Sequence, residues 1–223
     1  MLHVPGLRNE HRLLVSGSFV GIDVGADRLH VASLDADGRV AACAVFSSTQ
    51  LPELVAGLDA AEVVAVDAPA QMSSLPHARD TELAPKFRRA RCAEIALGRD
   101  FRIWVPFVGP AERPAPAWME TGFAVFEALA GLGSVTIEVF PYAGFRVLAD
   151  RPLPKKTTVG GLTQRVELLR DAGVRGRHLE MWSHDSLDAL LGALVALHYA
   201  EARATMVGCG HDESAIWLPE PRS

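Results

Sequence analysis

Cysteine is scarce in this chain. Cys43, Cys92 and Cys209 are the three in 223 residues, far apart and without a C-x-x-C pair. That spacing excludes a thiolate zinc site and argues against a disulfide framework, so a reducing, cytoplasmic setting is expected. Long apolar runs are also missing; none approaches the roughly 20 residues that cross a bilayer, and no membrane association is expected. The opening MLHVPGLRNEHRLLVSGS has charges where a secretory signal needs an apolar core, so residues 1–17 read as an N-terminal extension. There is no excess of positive charge. The formal net charge is −5, which excludes non-specific wrapping of nucleic acid but not a nuclease whose metal offsets acidic ligands. No G-x-S-x-G, Walker or dinucleotide fingerprint occurs, and Gly160-Gly161 lacks the spacing of a phosphate-binding loop. The four tryptophans, Trp104, Trp118, Trp182 and Trp217, are scattered and read as packing residues.

The chain does have ample core material. Apolar residues make up 49% and charged residues 22%, ordinary values for a globular α/β protein. Residues 18–223 read as one domain. Residues 19–24, 28–34 and 39–46 suggest three strands, with Asp35-Ala-Asp-Gly38 as a turn. A helix over 50–58 then supplies the crossover to a fourth, parallel strand at 62–67, whose near-continuous apolar run implies cover on both faces. Residues 68–118 form a Pro-rich insertion, with a helical pattern at 88–97 and a loop marked by Pro106, Pro110, Pro114 and Pro116. Helices follow at 118–131, 142–149, 160–171 and 184–202, and strands at 134–140 and 216–218. The fold class is therefore α/β: a mixed sheet, three antiparallel strands and then parallel ones, flanked by helices.

Three apolar strands each contain one acid: Asp23, Asp67 and Glu138. A buried carboxylate needs a partner or a metal. Singly, each has a plain explanation: Asp67 caps a loop, Asp23 bonds turn amides, Glu138 pairs with an arginine. The last long helix adds Asp185 and Asp188, spaced i, i+3 so that both can point at one site. Ser183 is the expected N-cap, which explains Asp185 by the helix dipole alone. Asp188 differs, because Leu191, Gly192 and Val195 place it on the apolar face. Carboxylates brought from separate elements suit Mg²⁺ or Mn²⁺. Asp23, Asp67, Glu138 and Asp188 are thus candidate catalytic residues, and with Asp185 candidate metal ligands. Arg89, Arg91, Lys155 and Lys156 are candidate phosphate contacts, each with a solvated-surface alternative. His184 is a candidate for proton transfer.

Several segments recur in order: Gly21-Ile-Asp-Val-Gly25, Val66-Asp-Ala-Pro69, Arg89-Ala-Arg-Cys92 with Leu97-Gly98, Glu138-Val-Phe-Pro141, Lys155-Lys-Thr-Thr with Gly160 and Arg165, and Asp185-Ser-Leu-Asp-Ala189. Together they resemble the predicted ribonuclease H-like nuclease family called domain of unknown function 429, over about residues 18–220. The resemblance implies a ribonuclease H-like fold and a metal-dependent nuclease using Asp23, Asp67, Glu138 and Asp188, with Asp185 as a second helix acid and Mg²⁺ or Mn²⁺ as cofactor. Its broader group includes Holliday junction resolvases, whose late helix carries a similar Asp-x-x-Asp-Ala pattern. Nucleic acid is then the expected partner. Two alternatives stay open: a nucleotide or small-molecule phosphohydrolase or phosphotransferase on the same fold, and a non-catalytic interaction domain. The sequence does not set the oligomeric state.

Overall fold

The computed structural model describes residues 18–103, 105, 115–208 and 215–221. The expected extension at 1–17 lies outside them, as do Trp104, the loop prolines Pro106, Pro110 and Pro114, and Cys209. The strands are β1 (Ser18–Val24), β2 (Arg28–Leu34), β3 (Val40–Ser47), β4 (Ala61–Asp67), β5 (Val135–Val139), β6 (Thr205–Val207) and β7 (Ile216–Leu218). The helices are α1 (Leu51–Ala56), α2 (Cys92–Asp100), α3 (Ala117–Leu129), α4 (Pro141–Ala149), α5 (Val159–Asp171) and α6 (His184–Ala200).

All seven strands join one sheet in the order β3-β2-β1-β4-β5-β7-β6. β1, β2 and β3 form the expected antiparallel meander, and β4 and β5 run parallel to β1. This is the expected mixed sheet, three antiparallel strands and then parallel ones, flanked by helices. The sheet continues past β5 through β7, and β6 pairs antiparallel at the edge. β6 is a three-residue strand that the sequence pattern does not mark.

Side chains on a strand alternate between faces, and the two faces of this sheet have separate cores. Val20, Ile22 and Val24 of β1, with Val64 and Val66 of β4, pack on Leu54 of α1 and on Val125 and Leu129 of α3. Phe19 of β1 and Val63 and Ala65 of β4 pack on Val195 and Leu197 of α6. Helix α6 is apolar nearly all round because it is covered twice, by the sheet and by α4 and α5; Leu187, Leu190, Leu191 and Leu194 are at most 1% exposed. Burying each leucine contributes about 1.5–3 kcal/mol.

Helix and sheet meet most closely at Gly21. A Cβ there would collide with the Ala189 carbonyl oxygen and the Ala193 amide nitrogen, and one on Gly192 would lie 3.2 Å from the Gly21 Cα. The small residues of α6 thus fit the backbone of β1 with no spare space.

The insertion is more ordered than a Pro-rich loop. A 3-10 turn at Phe87–Arg89 precedes α2, so the helix starts four residues later than its sequence pattern suggests. The Glu94 carboxylate accepts the Arg91 amide at 3.0 Å, which closes the first turn. Cys92 is buried, as expected, but it is disulfide-bonded, which the expectation of a reducing setting without a disulfide framework did not foresee; Cys43 is a free thiol. Among the described residues no helix is long and apolar enough to cross a membrane.

Gly21→Ala should destabilise the protein by about 3 kcal/mol, the upper end for an overpacked core, since the added methyl meets backbone on both sides. Urea denaturation measures this; a loss below about 1 kcal/mol would contradict the packing described.

Candidate metal centre

The parallel register of β1 and β4 sets Asp23 beside Asp67 at the carboxyl ends of the two strands. Both continue the face of Phe19, Val63 and Ala65, and so look toward α6. The helix returns Asp185 and Asp188 to the same end. Ser183 fixes its start, its hydroxyl accepting the Ser186 amide at 3.1 Å. Asp23 and Asp188 are buried, at 9% and 4% exposure.

The cluster has two halves. Asp23 and Asp67 share a side-chain hydrogen bond, and both carboxyls are held above the usual carboxylate range. On the helix side, His184, Asp185 and Asp188 bring ligand atoms to within 4.8 Å of one another. Burial, reinforced by the charges of Asp188 and Asp185, pushes Asp23 up to about 7, against the pull of Lys156 and the hydrogen bond from Asp67. Burial and the charges of Asp23 and Asp188 raise Asp67 well above the carboxylate range. Asp188 is also raised by burial, with Lys156 and Arg165 opposing. Too much negative charge is confined here for all the acids to ionise, a condition that a hard divalent cation relieves.

Lys156 is the cation in closest contact among the described residues. Its ammonium donates to Asp188 Oδ2 at 2.6 Å and lies 3.5 Å from Asp185 Oδ1. Burial alone would lower its pKa, but the charge and hydrogen bond of Asp188, then Asp23 and Asp185, carry it above the usual value. Lys155 is exposed on the same loop. The His184 Nδ1 lies 2.6 Å from Asp185 Oδ1, off the line of a hydrogen bond, and is buried without another partner. The donors close enough together to share an ion are the helix trio His184, Asp185 and Asp188, with Asp23 and Asp67 acting on them through their charge.

The structure does not bring Glu138 to this cluster. In β5 it lies beside Val66 and Ile216, on the sheet face opposite Asp23 and Asp67. Its carboxylate accepts two hydrogen bonds from Arg91, at 2.8 and 2.6 Å, and the Ala70 amide at 2.9 Å. Arg91 also donates to Glu94 at 3.1 Å. Arg91 is only 2% exposed, so it is a buried structural cation rather than a phosphate contact. Arg88 is turned onto the carbonyls of Leu83 and Thr81, and Arg89 is exposed.

Two residues enter that the sequence reading passed over or quoted without a role. His30 is paired with Asp23 across the hairpin; its Nδ1 lies 3.3 Å from Ser186 Oγ and its Nε2 3.9 Å from Asp185 Oδ2. Burial lowers its pKa, with Asp185 opposing. The tight turn at 25–28 was the available signal, since counting outward from it sets His30 opposite Asp23. Arg165 is 2% exposed, stacks on Phe145 and donates to the carbonyls of Pro154 and Gly161, which pins the loop bearing Lys156.

A family profile described as "Protein of unknown function (DUF429)" matches residues 21–210. The chain belongs to that family. No curated protein matches it. Among solved structures it is similar to RuvC of Thermus thermophilus, at 18% identity and a TM-score of 0.41, over 83% of this chain and 96% of that one.

Two predictions separate the cluster from the buried ion pair. The raised pKa of Asp23 means that the folded, metal-free protein holds a proton the unfolded chain releases above about 3.8. Its stability should therefore fall as pH climbs from about 4 to about 7, and Asp23→Asn should flatten that fall. Chemical denaturation in chelator across this range measures both; a stability that rises with pH equally in both proteins would refute the assignment. Glu138→Ala should act in the opposite sense, costing about 3 kcal/mol because it strands part of a buried guanidinium charge. Thermal unfolding of the two variants side by side should show one raised and the other lowered at pH 8.

Proposed function

We propose that this protein is a metal-dependent nuclease that hydrolyses phosphodiester bonds in DNA or RNA. The observation that carries the reading is the convergence of Asp23, Asp67, Asp185 and Asp188, from two parallel strands and one helix, with burial raising three of them. His184, Asp185 and Asp188 would hold the ion from the helix, and Asp23 and Asp67, which feel the charge of Asp188, would complete its surroundings from the strands. Mg²⁺ or Mn²⁺ held there would supply Lewis acidity toward a phosphoryl oxygen and lower the pKa of an attacking water.

The chain's own groups then divide the remaining work. Asp67 and Asp23, joined by a hydrogen bond and both raised by burial, would give up their shared proton where a cation is held beside them. His30 orients Asp185 and Ser186 from the neighbouring strand. Lys155 and Arg89, both exposed, offer point charges to a backbone phosphate. Glu138 and Arg91 hold the loop after β4, and with it Asp67, from the other face of the sheet.

A small phosphoester is the second reading. The net charge of −5 and the enclosure of Arg91 leave little broad basic surface for a long polyanion. Labelled single- and double-stranded oligonucleotides and a set of nucleotides should be incubated with the protein and Mn²⁺. Oligonucleotide cleavage that Asp23→Asn and Asp188→Asn each reduce at least 100-fold, without unfolding, is the expected outcome. Turnover of nucleotides alone would shift the assignment to the second reading, and full activity in Asp23→Asn would remove the metal mechanism.

A further inference from the structure

Lys156 sits where a cation is wanted. Its ammonium bridges the helix acids, 2.6 Å from Asp188 and 3.5 Å from Asp185. Asp188 is almost wholly enclosed, whereas the Lys156 side chain is 43% exposed, so the charge reaches in from the rim and can leave by the same route. The backbone beneath it is fixed independently. Thr158 Oγ1 donates to the Lys155 carbonyl at 2.8 Å and accepts the Gly161 amide at 3.1 Å. A side chain on Gly161 would collide with the Lys155 carbonyl, which is why the loop can fold back on the start of α5. Arg165 holds the Pro154 and Gly161 carbonyls at 3.3 and 3.0 Å. A pinned backbone with a swinging four-carbon stem permits exchange of the ammonium by side-chain rotation alone.

We infer that Lys156 is a tethered counter-cation that occupies the helix half of the acid cluster and must be displaced when a divalent metal binds there. This rests on the metal reading of the site and adds a function for the lysine: it sets how tightly the site takes its ion. A tethered cation competes at high effective concentration, so its presence lowers apparent metal affinity while it keeps the empty acids from repelling one another. The Lys156 stem lies at the mouth of the site, and the loop that bears it needs no rearrangement for the exchange.

Isothermal titration with MnCl₂ in metal-free buffer at pH 8 tests the inference on the full chain. Lys156→Met should bind Mn²⁺ at least tenfold more tightly than the parent, and Lys156→Arg should stay within about twofold of it. Equal or weaker binding by Lys156→Met would overturn the inference while leaving the metal site standing. Binding by neither protein would remove the metal reading, and the inference with it. A second readout needs no metal. In chelator, Lys156→Met should lower the Tm of the parent but not that of Asp188→Asn, where the counter-charge has lost its main partner. The same Tm change in both backgrounds would show that Lys156 acts through packing, and would also overturn the inference. Lys156→Gln repeats both measurements should the methionine variant be insoluble.

Discussion

Everything at the acidic end of this molecule depends on how closely α6 approaches β1. Gly21 and Gly192 allow backbone to meet backbone, and Ala189 and Ala193 keep the contact shallow. Asp188 lies one residue before Ala189, and Asp185 one turn earlier. A helix held further from the sheet would carry these acids away from Asp23 by the same amount. The interaction that binds the layers therefore also sets the spacing of the charges. It is a dispersion and burial term that does not titrate, and it holds together groups that repel one another.

That repulsion is the counterpart. The cluster confines more carboxylate charge than its surroundings can solvate. The protein answers in three ways: Asp67 and Asp23 share a hydrogen bond with both carboxyls raised, Lys156 reaches in from the rim to Asp188, and the charge of Arg165 opposes the rise of Asp188. Each lowers the repulsion among the acids. By contrast, the second buried charge group is self-sufficient. Arg91 satisfies both oxygens of Glu138 and also reaches Glu94. Two acids in neighbouring strands thus differ in kind: Asp67 sits in a charge-deficient site, while Glu138 is fully paired.

Much of this was legible in the chain. The apolar runs located β1 and β4, the Asp35–Gly38 turn located the hairpin, and Ser183 marked the start of α6 at the residue where the structure begins it. The i, i+3 spacing of Asp185 and Asp188 correctly put both on one side of the helix. Two elements were less legible. β6 is too short to carry a pattern, and α2 begins late because a 3-10 turn occupies residues that have helical periodicity.

The sequence by itself determined which residues are costly to bury: acids inside apolar strands, and an acid on the apolar face of a helix. It also determined the element order and the need for a crossover between β1 and β4. Only the tertiary structure decided which of those acids share a site. Glu138 is one residue out of phase with Asp23 and Asp67, and because strand side chains alternate with a period of two, that single step sends it to the opposite face of the sheet. Register between strands distant in sequence is set by pairing and by the helices packed on each face, and no local pattern in a single strand encodes it.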